Sequence, residues 1–191
     1  VSQRAPAVAR AVVRELADQR RYLKLIASEN YSSLATQLAM GNLLTDKYAE
    51  GVAGQRFYEG CDNVDTVESF ACAQARALFH CDHAYVQPHS GADANLIAYW
   101  AILQARVEVP ELSRLGVRDP GTMTQEQWAG LRAALGNQRL LGMDYSAGGH
   151  LTHGYRRNVS AKMFDAYCYG VNQSTNLLDY EEIERLAREV R

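Results

Sequence analysis

Apolar residues recur along this chain with two periods, one helical and one extended. Over residues 5–21, Val8, Val12, Leu16 and Ala17 fall on one helix face. Leu34, Leu38 and Leu44 give residues 33–48 the same spacing. Val64, Val67, Ala71, Ala75 and Leu78 form the stripe of a helix over 63–80. From Ala92 onward, Leu96, Tyr99, Trp100 and Leu103 share one side. Ile183, Leu186 and Val190 mark a last helix over 181–191, where Asp179 and Glu182 have the spacing of a capping box. Other short runs read as strands. Residues 83–87 end at Pro88, which cannot donate to a ladder. Leu140, Leu141 and Met143 make 139–144 a buried strand, and 162–170 is another. Strands alternating with helices predict parallel βαβ units and an α/β fold.

The interruptions set the organisation. Residues 1–48 read as a helical N-terminal arm, and 49–191 as the sheet-bearing part. The run 48–60 has glycines and aromatics with no period, so it is a loop, either solvated or ligand-contacting. Pro110, Gly116, Pro120 and Gly121 break the region after residue 107. Thr124 and Gln127 can cap a short helix to Leu135, which gives an inserted helical hairpin over about 107–138 with Trp128 as its small core. A parallel sheet that stops after a helix lacks the strand that helix leads into. The expectation is therefore a part of something larger.

Composition narrows the function. Hydrophobic residues are 47% and the net charge is -2, which gives no footprint for nucleic acid or an anionic membrane. No apolar run reaches the roughly 20 residues of a membrane span. The first residues are a charged helical pattern and not a signal peptide. Cysteines 61, 72, 81 and 168 form no C-x-x-C motif and read as reduced thiols of a cytoplasmic protein. Lysine occurs only at 24, 47 and 162, so candidates for amine chemistry are few.

Candidate chemistry lies in three places. In residues 86–95 a strand end, the turn Ser90-Gly91 and a helix start follow one another, with Ser90 and Asp93 at capping-box spacing. Such an end suits a phosphate or carboxylate, although an ordinary connection looks the same. No Walker pattern or G-x-G-x-x-G accompanies it. The second place is 148–154, Gly-Gly-His-Leu-Thr-His-Gly, after a strand end. His150 and His153 could bind a metal with Asp144, but the glycines argue against a regular helix. An imidazole here could instead stack on a planar ligand, or simply bond to carbonyls, the reading favoured for His153. The third is Glu50, a surface carboxylate unless a closed pocket fits it for proton transfer.

Five motifs occur in order: Leu25-Ile-Ala-Ser-Glu-Asn-Tyr31, Lys47-Tyr-Ala-Glu-Gly51, Gly54-Gln-Arg-Phe-Tyr58, Val86-Gln-Pro-His-Ser-Gly91 and Gly148-Gly-His-Leu-Thr-His-Gly154. Together they resemble the N-terminal half of the serine hydroxymethyltransferases, which are fold type I pyridoxal-phosphate enzymes. The likeness covers about 20–104 and 139–181. The excursion over 107–137 departs from it and looks like the longer form of some bacterial members, chlamydia-like ones among them. The resemblance implies an aspartate-aminotransferase-like large domain, a three-layer α/β/α arrangement, of which 49–191 would be part. It implies reversible serine–glycine interconversion with one-carbon transfer to tetrahydrofolate.

The resemblance also implies roles. Ser90, Gly91, Ala92 and Asp93 would hold the phosphate of pyridoxal 5'-phosphate, with Ala92 standing where the family usually has a second serine. Tyr48 would reach the phosphate of a neighbouring subunit. His150 would stack on the pyridine ring. Ser28 and Tyr58 would hold the amino-acid substrate, Tyr58 across the subunit interface. Glu50 would be the proton-transfer carboxylate near substrate and folate. Phe57, usually tyrosine, with Tyr145, Gly148, Gly149 and Leu151, would meet the folate. The implied assembly is a homodimer or tetramer. The Schiff-base lysine has no counterpart at Lys24, Lys47 or Lys162, so a C-terminal remainder would be needed and this segment alone would be inactive. A truncated non-catalytic fragment, a threonine aldolase and an aminotransferase are the alternatives, and the 148–154 motif argues against the last two.

Overall fold

A computed structural model describes residues 1–190. The chain divides into two compact units, Val1–Phe70 and Ala71–Arg191.

In the first unit, α1 (Pro6–Arg21) starts on a proline and ends on Arg20 and Arg21, which favour a helix C-terminus. Its stripe of Val8, Val12 and Leu16 is exposed. The helix expected over 33–48 is shorter. α2 (Leu34–Met40) is capped by Ser33 and stops at Gly41. Asn42 explains the break: its amide donates to the Ala39 carbonyl at 2.5 Å and accepts from the Leu44 N–H at 2.8 Å. These bonds draw the backbone into a 3-10 turn, Leu43–Asp46. The expected loop at 48–60 contains a hairpin, β1 (Gly51–Val52) antiparallel to β2 (Gln55–Arg56). Strands this short leave no readable alternation. α3 (Asp62–Phe79) begins in the first unit and continues past Phe70 into the second, with its half-buried side at Val64, Asp65, Glu68, Ala71, Cys72 and Ala75. Val67 and Leu78, expected in the stripe, are exposed. Asp65 and Glu68 turn inward because Arg56 binds both.

In the second unit, residues 83–87 form no strand. A strand needs a neighbour's backbone groups, and neither of the two-stranded sheets among the described residues includes this segment. α4 (Gly91–Leu103) follows the Ser90 cap. It runs into a π turn, Gln104–Glu108, in which the Val109 N–H reaches the Gln104 carbonyl, and on into α5 (Val109–Leu115). Gly116 ends α5 in the left-handed region, at φ 67°. α6 (Gln125–Gly136) carries the complete Thr124–Gln127 capping box. The core here is not Trp128, which is 40% exposed. Leu131 is 2% exposed and Leu103 4%. α6 packs against the π turn, and Leu131 is the side chain of that helix that is buried.

β3 (Arg139–Met143) pairs in parallel with β4 (Asp165–Tyr169), Arg139 opposite Asp165 and Met143 opposite Tyr169. The second strand starts after Lys162 and Met163. Both donate to the Val159 carbonyl and belong to a helical turn, α7 (Ser160–Met163). α8 (Tyr180–Glu189) is capped by Asp179 and half-buries Ile183 and Leu186. Its other faces carry Arg185–Glu182, Arg185–Glu189 and Arg188–Glu184 pairs. No described helix is long and apolar enough to cross a membrane.

Candidate functional site

In the second unit the site begins at the α4 N-terminus. Ser90 is extended (φ -155°, ψ 165°), and its Oγ accepts from the Asp93 N–H at 3.1 Å. That satisfies one orphan donor and leaves the Gly91 and Ala92 N–H groups at the open end. Residues 90–93 are all exposed, so an anion can reach them.

The second part is the turn after β3. The Asp144 N–H still extends the ladder, donating to the Tyr169 carbonyl at 2.8 Å. Its carboxylate then bonds the hydroxyl and N–H of Ser146, and these, largest first, hold it below the usual carboxylate range. Cys168 lies beside it, its thiol pushed up first by burial and then by the Asp144 charge. Gly148 (φ 98°) reverses the chain, and the Gly149 N–H donates to the Asp144 carbonyl at 2.9 Å.

Two glycines let this turn lie against the sheet. A Cβ on Gly149 would sit 1.9 Å from the Met143 carbonyl oxygen. A Cβ on Gly142, within β3, would sit 2.3 Å from the His153 carbonyl oxygen. Backbone passes where any side chain would stand. Further along, the buried Ser160 Oγ accepts from the Gly154 N–H at 3.1 Å and closes the turn.

His150 leaves this turn with its ring accessible. Its Nδ1 lies 2.7 Å from Thr152 Oγ1 and accepts from the Thr152 N–H at 3.3 Å. Thr152 is 4% exposed. Asn95 of α4 donates to its Oγ1 at 2.6 Å, and the Tyr99 hydroxyl donates to its carbonyl at 2.8 Å. The imidazole is thus tied through one threonine to the helix whose open end lies a turn upstream. The sequence places Thr152 inside the Gly148–Gly154 motif but gives it no role. The available signal is Asn95 and Tyr99, polar groups four apart on a helix that is otherwise apolar beyond Asp93.

His153 packs its ring 5.6 Å from that of His150, tilted by 55°. Among the described residues no group of three or more His, Cys, Asp or Glu is placed to hold a metal. A cleft of about 670 Å³ is lined by Asp144, Tyr145, His150, His153, Tyr155 and Arg156, among others. Tyr145 packs on Tyr155 with ring centres 5.3 Å apart. Leu151, Gly148 and Gly149 share the same turn.

In the first unit the hairpin gathers another set. Glu50 is exposed. The Tyr58 hydroxyl donates to Glu50 Oε2 at 3.3 Å, and Tyr58 meets Tyr48 edge to face at 5.5 Å. The Phe57 N–H donates to the Glu50 carbonyl at 3.1 Å, with its ring exposed. Ser28 is not part of this group and lies in the turn at 27–28 ahead of α2.

Arg56 holds the hairpin, and the sequence reading gives it no role. Its side chain, 5% exposed, donates to Asp65 at 2.7 Å, Glu68 at 2.6 Å, and the Ala49 and Gly51 carbonyls at 2.6 and 2.9 Å. Asp65 also accepts from the Gly54 N–H at 2.8 Å. The Gly54 N–H first, and Arg56 after it, hold the Asp65 carboxyl below its usual range. Stability from this contact is therefore complete above the ordinary aspartate pKa of about 3.9 and is lost as pH falls through the lowered value. Lysine has no planar fork. We expect Arg56→Lys to speed amide exchange in 49–57 about tenfold at neutral pH. Unchanged exchange would show that something else fixes the hairpin.

The sequence pattern of the serine hydroxymethyltransferases matches residues 1–129 and 131–191. A serine hydroxymethyltransferase of Treponema pallidum is 59% identical over 191 residues, all of this chain and 33% of its own length. One from Salinispora tropica is 58% identical over 96% of this chain and 38% of its own length. One from Chlamydia pneumoniae is 50% identical over 96% of this chain and 37% of its own length. The chain therefore spans little more than a third of the curated relatives it matches. A pattern that fits on both sides of Gly130, together with these identities, decides the kinship: the chain belongs to the serine hydroxymethyltransferase family.

Proposed function

We propose that this chain supplies the N-terminal portion of a cytoplasmic, pyridoxal-phosphate-dependent enzyme. The enzyme interconverts serine and glycine, with one-carbon transfer to tetrahydrofolate. The observation that carries this reading is the Thr152 junction, which joins an anion-ready helix end and an accessible imidazole in one framework. An ester phosphate and a flat aromatic ring ask for that pair. The open-ended Ser90–Gly91–Ala92 turn fits the phosphate, and the ring of His150 fits the pyridine plane. When bound, pyridoxal phosphate supplies the electron sink for breaking a bond at the amino-acid α-carbon.

The protein's own groups do the rest. Glu50, oriented by Tyr58, moves a proton at the substrate hydroxyl. Tyr48 and Tyr58 serve a neighbouring subunit of a dimer or tetramer. Ser28 holds the amino acid. Tyr145, Leu151 and the Gly148–Gly149 backbone meet the folate, and Phe57 is a folate contact in its own right. Residues 49–191 would form part of a three-layer α/β/α large domain of the aspartate-aminotransferase kind. Lys24, Lys47 and Lys162 do not match the Schiff-base lysine, so the remainder of the enzyme brings it, and the isolated segment is inactive.

The test uses the full-length protein. Pyridoxal phosphate should bind with a visible absorbance band. Glu50→Gln should keep that band and lose about a hundredfold or more in kcat for hydroxymethyl transfer. A full-length chain that binds no pyridoxal phosphate would overturn the reading.

A further inference from the structure

We infer that Thr152, set by Asn95, is a positioning residue that fixes the protonation form of His150: a neutral ring with its proton on Nε2. A backbone N–H can only donate, and that of Thr152 meets His150 Nδ1 at 3.3 Å, so Nδ1 is an acceptor. Asn95 Nδ2 donates to Thr152 Oγ1 at 2.6 Å and occupies one of its lone pairs. The hydroxyl proton is then directed to the remaining neighbour, Nδ1, at 2.7 Å. Donors thus converge on Nδ1 from both the backbone and the side chain of one residue.

The Tyr99 hydroxyl fixes the same residue through its carbonyl, 2.8 Å away. Thr152 therefore cannot rotate or shift without breaking contacts to α4. The ring plane is set by the same pair of bonds, since Nδ1 must point at Thr152. The opposite edge, with Nε2–H, faces outward as a donor. The consequence for a ligand rests on the function proposed above: an uncharged, pre-aligned imidazole meets the pyridine plane and carries no positive charge into it. The tautomer itself does not depend on that reading.

Nitrogen-15 NMR of the histidines in the full-length protein tests this, with His150 assigned by its loss in His150→Gln. Wild type should show an unprotonated Nδ1 and a protonated Nε2 near neutral pH, with or without pyridoxal phosphate. Thr152→Ser keeps both donors and should keep that signature. Thr152→Val loses the hydroxyl and should give a mixture of tautomers, with pyridoxal phosphate bound about fivefold more weakly. Asn95→Asp provides the sharper result. A carboxylate takes the Thr152 hydroxyl proton for itself and leaves Nδ1 only the longer backbone donor at 3.3 Å, so the Nε2-protonated tautomer should lose its dominance and a mixture should appear. A protonated Nδ1 in wild type, or an unchanged tautomer in Asn95→Asp, overturns the inference. If Thr152→Val does not fold, the wild-type and Asn95→Asp spectra still decide. Failure of wild type to bind pyridoxal phosphate overturns the functional reading alone.

Discussion

Gly149→Ala is expected to cost more than about 3 kcal/mol and to abolish cofactor binding in the full-length protein, because the new methyl has nowhere to go. Its carbon would stand 1.9 Å from the Met143 carbonyl oxygen, 2.6 Å from that carbonyl carbon and 2.9 Å from the Asp144 oxygen. All of these are backbone atoms, and two belong to a residue paired in the sheet. A flexible side chain could swing aside, but a strand cannot. The turn would have to lift off β3, taking His150 and Thr152 away from Asn95. Gly148→Ala is the control. Nothing lies within 4 Å of its added Cβ, so only the strain of φ 98° remains, about 1–2 kcal/mol. Chemical denaturation and a pyridoxal-phosphate titration of both variants check the contrast. Equal losses would mean that conformation, and not close approach, selects glycine here.

Leu131→Ala is expected to destabilise by about 3 kcal/mol, since a side chain only 2% exposed leaves a cavity when truncated. Trp128→Ala should cost about 2 kcal/mol despite removing more atoms, because the indole is 40% exposed. The ranking is the reverse of what size and residue type suggest. Denaturant midpoints of the full-length variants decide it, and a greater loss at Trp128 would place the hairpin core where the sequence reading put it.

That reversal shows which features can be read from a chain. Periodicity and caps are local, so α1, α4 and α8, and the Thr124–Gln127 box, follow from neighbouring residues. So does the Ser90 cap. A strand is a relation between segments, and residues 83–87, with the composition of a strand, join neither sheet among the described residues. Gly41 and Asn42 end α2 by competing for its backbone, a contest that an apolar period cannot report. The contacts that build the candidate site are more distant still. Asn95 and Thr152 are 57 residues apart, and nothing near either announces the other. Arg56 reads as one charge among many until Asp65 and Glu68 are seen to enclose it. Exposed aromatic and carboxylate groups advertise chemistry, whereas the residues that aim them do not.

The wide turn at Gln104–Glu108 acts as a joint. A helical residue advances the chain about 100° around its axis, and an i→i+5 turn uses one residue more than the regular coil. The rotation begins just past Leu103, downstream of Asn95 and Tyr99. Everything that follows is re-aimed there, and everything before it keeps its facing. An added lobe can thus lengthen, shorten or drift in sequence while the ring-bearing pocket keeps its alignment.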